Sequence, residues 1–251
     1  MFLAINIGNS AVKFGLFKGR ELLDVVTAPS STKTVEQFWE IVKKPLGGAE
    51  GEGSKVEKIG IASVVPVLTE VFARLSEMHL SQKAHVLSFD SPLGFQIRYD
   101  EPAQLGADRL ANAAAARTIY GYPAIVVDIG TATTFDVVDE GGDFAGGLIA
   151  PGPATSAESL FEKAARLFPV QIEKPDRLIA TNTADAVKAG IYYGNLGQIN
   201  YIISRLKLEA GYNNAKVIVT GGLAELFGSG STGIDVIDPN LTLRGINLIF
   251  A

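Results

Sequence analysis

Cysteine is absent from this chain of 251 residues, and histidine occurs only twice, at His79 and His85. Without thiols there is no disulfide and no thiolate metal centre, a composition that fits an intracellular protein. Two histidines are a poor basis for a histidine triad or metal cluster, so carboxylates must carry any acid–base step. An excess of positive charge is missing too: the net charge is −5. Binding a phosphate backbone needs a basic face, so nucleic acid is not expected as a partner. No apolar run reaches the roughly 18 residues of a membrane span, so no membrane contact is expected. Met1-Phe2-Leu3 leads straight into a strand pattern, without the basic region and cleavage site of a secretory leader, and the cytoplasm is the expected location. Hydrophobic residues make up 47% and charged residues 20%, which suits a real core in one large domain or two of ordinary size.

The chain is organised around Ile125-Val126-Val127-Asp128-Ile129-Gly130-Thr131-Ala132-Thr133-Thr134. It starts as a short β-branched apolar run, the pattern of a buried strand. It ends in a carboxylate, a glycine and hydroxyls: a tight turn with exposed N–H groups, fit to hold a phosphate. The carboxylate can meet a cation beside that phosphate. Leu3-Ala4-Ile5-Asn6-Ile7-Gly8-Asn9-Ser10 repeats the pattern 122 residues earlier, with Asn6 on Asp128 and Gly8 on Gly130. Apolar alternation follows each turn, at Val12, Phe14 and Leu16 and at Phe135 and Val137, so each reads as a hairpin. Two such hairpins half a chain apart predict a duplicated α/β fold with a nucleotide cleft between halves 1–121 and 122–251.

Between these hairpins the pattern predicts strands over 21–26, 58–64, 86–89 and 95–99. It predicts helices opening at Thr34, over 67–78 and over 103–119, with a Gly/Glu-rich loop at 47–54. The alanines at 111–116 permit very close packing of a neighbouring element. Tyr122-Pro123 marks the boundary. The second half adds a strand over 144–149, a helix over 154–166 and a helix capped by Thr181-Asn182-Thr183 that ends near Tyr193. A helix over 198–209, a strand over 216–220 and a short helix over 223–227 complete it.

Three further spots carry chemistry. Gly106-Ala107-Asp108-Arg109 puts a carboxylate beside a guanidinium at a helix start. Asp108 can act as general base on a hydroxyl and Arg109 can take a carboxylate bidentately; an ordinary helix-start Asp with a surface Arg is the plain alternative. Gly221-Gly222, directly after a strand, permits close backbone approach to a ring or phosphate, or is simply a strand-to-helix turn. Lys13 follows the first turn on alternate register, where it reaches a phosphate or stays a solvated strand lysine.

Together these segments resemble the type III pantothenate kinases, of the acetate kinase/sugar kinase/Hsp70/actin superfamily. The resemblance is carried by Asn6-Ile7-Gly8-Asn9-Ser10, Gly106-Ala107-Asp108-Arg109 and Asp128 to Thr134. It continues through Gly146 to Gly152, Asn182-Thr183, Gly190 to Gly194, Thr220-Gly221-Gly222 and Pro239 to Gly245. It implies a duplicated ribonuclease-H-like (actin-like ATPase) fold, a homodimer, and phosphorylation of pantothenate by ATP with Mg2+, the first step towards coenzyme A. A monovalent cation, K+ or NH4+, is implied as well. Carried over by position, Asp108 is the base, and Tyr99, Gly106, Arg109 and Thr183 bind pantothenate, Thr183 across the dimer. Gly8, Asn9, Ser10, Lys13, Gly130, Thr131 and Thr133 surround the phosphates, with Gly221 and Gly222 as further nucleotide contacts. Asp128 holds the monovalent cation or supports the metal-bound phosphates. The first motif departs from the family: Asn6 stands where the family has an Asp that helps hold the water shell of the divalent metal. Asn hydrogen-bonds but brings no charge. A catalytically weakened, regulatory homologue is therefore the alternative reading.

Overall fold

Each predicted hairpin seeds a five-stranded sheet, and the two sheets have the same strand order. In the first, β1 (Phe2–Ile7) pairs antiparallel with β2 (Ala11–Lys18), and β2 with β3 (Glu21–Pro29). On its other edge β1 runs parallel to β4 (Lys58–Ser63), which runs parallel to β5 (Ala84–Val86). In the second, β6 (Ala124–Ile129), β7 (Ala132–Val138) and β8 (Phe144–Pro151) form the antiparallel arm. There β9 (Lys216–Thr220) and β10 (Val236–Ile237) run parallel to β6. The orders β3-β2-β1-β4-β5 and β8-β7-β6-β9-β10 match position for position, so the duplication lies in the fold as well as the motif. This computed structural model describes residues 1–31, 34–43 and 56–251; the loop expected at 47–54 lies outside them.

The central strands are apolar runs because both of their faces are covered. One face of the first sheet packs on α1 (Val35–Val42) and α2 (Pro66–Leu80). Thr34 starts α1 with a capping box closed by Gln37, and proline opens α2, where its missing N–H costs nothing. Phe72 is the hub, with its ring 4.5 Å from Phe38 and 5.4 Å from Phe14.

The other face meets α7 (Leu241–Phe250), a helix without a predicted counterpart. A Cβ on Gly60 would come 2.7 Å from Ile246 and 2.8 Å from Phe250, so the bare glycine is the groove for that helix. Where α7 crosses α3 (Ala107–Ala115), a Cβ on Gly245 would run into the carbonyl of Ala111. This is the close packing that the alanine run permits. The chain therefore forms two units, Met1–Ile119 with Leu241–Ala251, and Tyr120–Asn240. The repeat in the sequence assigns everything from 122 onward to the second half; the last helix returns to the first unit because its apolar face fits that glycine groove.

Other differences have local causes. The helix expected from 103 starts at Ala107: a 3-10 turn spans Pro102–Gln104 and Gly106 is extended (φ −60, ψ 140), and past Ala115 the helix widens into a π turn over Ala116–Tyr120. Residues 95–99 form only an isolated bridge at Ile97, and the short strand lies at Ala84–Val86 with Val86 on the surface. In the second unit α4 (Pro153–Lys163) precedes α5 (Thr183–Ala210), one continuous helix where two were expected, and α6 (Ala224–Gly228) follows β9. Gly194 and Gly197 read as a break, but Tyr192, Asn195, Ile199 and Ile203 are buried at helical spacing and anchor the whole length. The helix stops at Gly211, left-handed at φ 74.

Gly245→Ala is expected to cost about 1–3 kcal/mol, because α7 must lift off the Ala111 backbone. A thermal melt of that variant checks it, with a drop of several degrees as the expected outcome.

Candidate active site

Register decides what the first hairpin offers. Asn6, next to last in β1, stands opposite Lys13 on β2 and Ala62 on β4. Cross-strand partners share a face, so the amide and the ammonium stem lie side by side. The turn is tied down by its backbone. Gly8 N–H donates to the Ala11 carbonyl (3.0 Å), Ser30 Oγ donates to the Gly8 carbonyl (2.6 Å), and Ser30 N–H donates to the Ser10 carbonyl (3.1 Å). Asn9 and Ser10 are left exposed at its tip. Ser30 carried no sequence signal; only the return of β3 brings it there.

The second hairpin is one residue shorter. Asp128 stands opposite Thr134, so a hydroxyl takes the place that Lys13 has in the first. Gly130 N–H donates to the Ala132 carbonyl (2.9 Å). The Thr131 carbonyl accepts from Gly152 N–H (3.0 Å) and from Thr155 Oγ1 (2.6 Å), which binds the start of α4 to the turn. Gly221 is left-handed (φ 100), and a Cβ there would come within 2.5 Å of Asp128 Oδ1 and of the Ile129 carbonyl. No other residue fits, whereas Gly222 faces open space. Thr220, the register partner of Asp128, keeps its buried hydroxyl without a hydrogen-bond partner among the described residues. A buried orphan hydroxyl is costly, so it marks a place for a ligand atom or water. Thr133 is the register partner of Ile129 instead, and its equally buried hydroxyl lies on the core face.

Tyr99, Gly106, Asp108 and Arg109 meet in the first unit. Gly106 caps α3 without a side chain, and a Cβ on it would come 2.5 Å from Asp108 Oδ1, so the bare glycine makes room for the carboxylate. That oxygen accepts from Arg109 N–H (2.8 Å). Burial pushes the Asp108 carboxyl above its ordinary pKa; the backbone N–H of Arg109 and its guanidinium charge pull the other way and lose. The Arg109 side chain is itself only 5% exposed, with its guanidinium 6.0 Å from the centre of the Tyr99 ring. Further along, Arg117 donates to the Gly94 carbonyl (2.8 Å) and lies over Phe95 (5.6 Å), so two arginines hold the irregular segment carrying Tyr99.

Thr183, by contrast, is at the start of α5, capped by Asn182, whose Oδ1 accepts from Asp185 N–H (2.9 Å). It lines an open cavity of about 850 Å3 in the second unit, with Ser156, Leu160, Leu167 and Gly190.

Residues 2–205 match the family description "Type III pantothenate kinase". The type III pantothenate kinase of Moorella thermoacetica is 39% identical over 251 residues, covering all of this chain and 98% of that one. The chain belongs to the type III pantothenate kinase family. Among solved structures, a Campylobacter jejuni protein named as a Baf family transcriptional activator is 26% identical. It covers 98% of this chain and 96% of its own at a TM-score of 0.59. The component A of the Acidaminococcus fermentans (R)-2-hydroxyglutaryl-CoA dehydratase is 15% identical and shows the fold alone: TM-score 0.54, covering 99% of this chain and 95% of that one. With the repeated strand order, these likenesses make the fold a duplicated ribonuclease-H-like one.

For this kinase family member the raised Asp108 carboxyl has a consequence for stability. Between the ordinary aspartate pKa of about 3.9 and the raised folded value, the folded state binds more protons than the unfolded one. Stability therefore falls as pH rises through that window and stays lower above it. Asp108→Asn removes this titration, so its melting temperature should gain on the native protein as pH rises. Paired melts across pH check the sign.

Proposed function

We propose that this chain transfers the γ-phosphoryl group of ATP to the terminal hydroxyl of pantothenate. The observation that carries the reading is the half-buried Asp108 carboxylate, its pKa raised, beside the buried Arg109 guanidinium next to Tyr99. A carboxylate whose pKa is raised is a stronger base, and a fixed guanidinium takes a substrate carboxylate in two parallel hydrogen bonds. Arg109, Gly106 and Tyr99 hold pantothenate, and Asp108 receives the hydroxyl proton as the new O–P bond forms and ADP leaves. Little covalent chemistry falls to the protein in such a transfer; positioning and charge neutralisation suffice.

In the first unit, the N–H groups and side chains of Gly8, Asn9 and Ser10, with the Lys13 ammonium, suit phosphate oxygens. In the second, Gly130, Thr131, Gly221 and Gly222 offer backbone at close range, and Thr220, marked in the sequence only as part of the resemblance, adds a buried hydroxyl. Thr133 supports its turn from the core side. No cluster of three or more carboxylates or histidines able to share a metal occurs among the described residues. That donor set fits a magnesium ion that comes with the nucleotide, keeps most of its waters and takes one or two protein oxygens. Asn6 would meet its water shell, and Asp128 would hold K+ or NH4+. Bound magnesium neutralises phosphate charge; Asn6 lends it no charge of its own.

The active form is a homodimer. Supporting this, Phe168, Leu178 and Ile179 are exposed beside the cavity that Thr183 lines, Ile179 at 83%. Gly190, Gly194 and Gly197 form an exposed row on α5 that lets a second helix approach closely. The enzyme is read as cytoplasmic; among the described residues no helix is long and apolar enough to cross a membrane. A regulatory role has less to support it. The name of the Campylobacter jejuni protein belongs to that protein, and a pure scaffold has no use for a half-buried base beside an acid-binding arginine.

The test is ATP-dependent phosphorylation of pantothenate with magnesium, with and without K+ or NH4+. Product that depends on the monovalent cation is expected, with turnover falling roughly 10²–10⁴-fold in Asp108→Asn. No product despite bound pantothenate would turn the reading to regulation. Asn6→Asp should lower the magnesium concentration needed for half-maximal rate; an unchanged requirement would remove that position from metal binding.

A further inference from the structure

The stretch Pro239 to Gly245 has no part in the reaction above, yet its second half lies on the helix that carries Asp108. Thr242, the second residue of α7, is 6% exposed, and its hydroxyl donates to Oδ1 of Asn112 across 2.8 Å. Asn112 is wholly inaccessible. It follows Asp108 by four residues and Arg109 by three, one helical turn along α3. Three residues further along α7, Gly245 presses on the backbone of Ala111.

Two features make this hydrogen bond matter. First, α3 has little to fix it from within. Its cap is a glycine without a side-chain hydrogen bond, and after nine residues it widens into the π turn. Second, the helix is alanine-rich where α7 crosses it: Gly245 lies on Ala111, and Ala113, Ala114 and Ala115 are buried as well. Small side chains pack closely but interdigitate little, so they resist sliding and rotation poorly. A buried polar pair is the device that sets register in such an interface, because any displaced arrangement breaks it.

We propose that Thr242 and Asn112 are positioning residues: their hydrogen bond fixes the register of α3 on α7 and so holds Asp108 and Arg109 where the substrate hydroxyl and carboxylate must be. This rests on the reading of Asp108 as the base. A misplacement of about 1 Å at the reacting groups costs on the order of 100-fold in rate, so a small slip of a smooth helix is enough.

The test is Thr242→Val, which keeps the shape and removes the donor, beside Thr242→Ser, which keeps the hydroxyl, and Asp108→Asn. In Thr242→Val, kcat is expected to fall roughly 10–100-fold, with the KM for ATP within about twofold of native. The acid limb of its kcat profile should move to lower pH. A loosened first turn lets more water reach the half-buried Asp108 carboxylate and relaxes its raised pKa, while Arg109, the charged group acting on it, stays. Thr242→Ser should recover most of the turnover. Should the valine variant not fold, Thr242→Cys, a weak donor of similar size, replaces it. Native kcat and pH profile in Thr242→Val, with only its melting temperature lowered, overturn the proposal; so does an equal loss in the serine variant. With Asp108→Asn inactive in the same assay, either result leaves the reading of Asp108 standing. An active Asp108→Asn enzyme overturns that reading and the proposal with it.

Discussion

Backbone meeting backbone without a Cβ between them is the constraint on which this structure rests. It recurs at three crossings of the chain. Gly245 lies on the Ala111 carbonyl, Gly221 on Ile129 beside Asp128, and Gly152 on the Gly130-Thr131 turn. At each place a methyl group would push two elements apart. Close contact of this kind gains dispersion energy and brings N–H groups within reach of carbonyls, as Gly152 and Leu223 show by donating to Thr131 and Ile129. The glycines are costly in chain entropy, and that cost is offset only because the contacts they allow are extensive.

The duplication supplies two similar turns, and small differences set their chemistry apart. The first places Asn6 beside Lys13; the second, shorter by one residue, places Asp128 beside Thr134 and Thr220. One turn thus carries a cation and no anion, the other an anion and no cation. Taken singly, the two turns favour different groups: an ammonium suits phosphate oxygens, a carboxylate suits a cation. Asn6 shifts the balance further, since it removes negative charge from the side that already holds Lys13.

Asp108 shows an electrostatic cost most directly. Desolvation outweighs both the neighbouring N–H and the Arg109 charge, so the folded protein is strained electrostatically whenever this group is ionised. Such a group persists only where surrounding packing over-determines it. Here that packing is an alanine-faced helix crossed by α7, with Arg109 laid under Tyr99. Stability sacrificed at one carboxylate is supplied by apolar burial elsewhere, as in the Phe14, Phe38 and Phe72 cluster.

Local rules were enough for the hairpins, for the capped start at Thr34 and for the group Gly106-Ala107-Asp108-Arg109. Alternation, turn residues and caps act over a few neighbours, and the sequence states them openly. The repeat of one turn pattern 122 residues on was likewise enough to imply duplication. What lay beyond it was decided by contacts distant in sequence. Gly194 and Gly197 stay helical because Tyr192 and Ile199 are buried against the second sheet. The last helix joins the first unit because Gly60 and Gly15 leave it a groove. Thr220 and Ser30 reach their respective turns only through strand pairing and return. By itself the sequence determined the two hairpin turns and the capped start at Thr34; tertiary structure alone decided which elements meet and where the glycine-containing helix runs on, because side-chain burial and register are set by partners that local pattern cannot name.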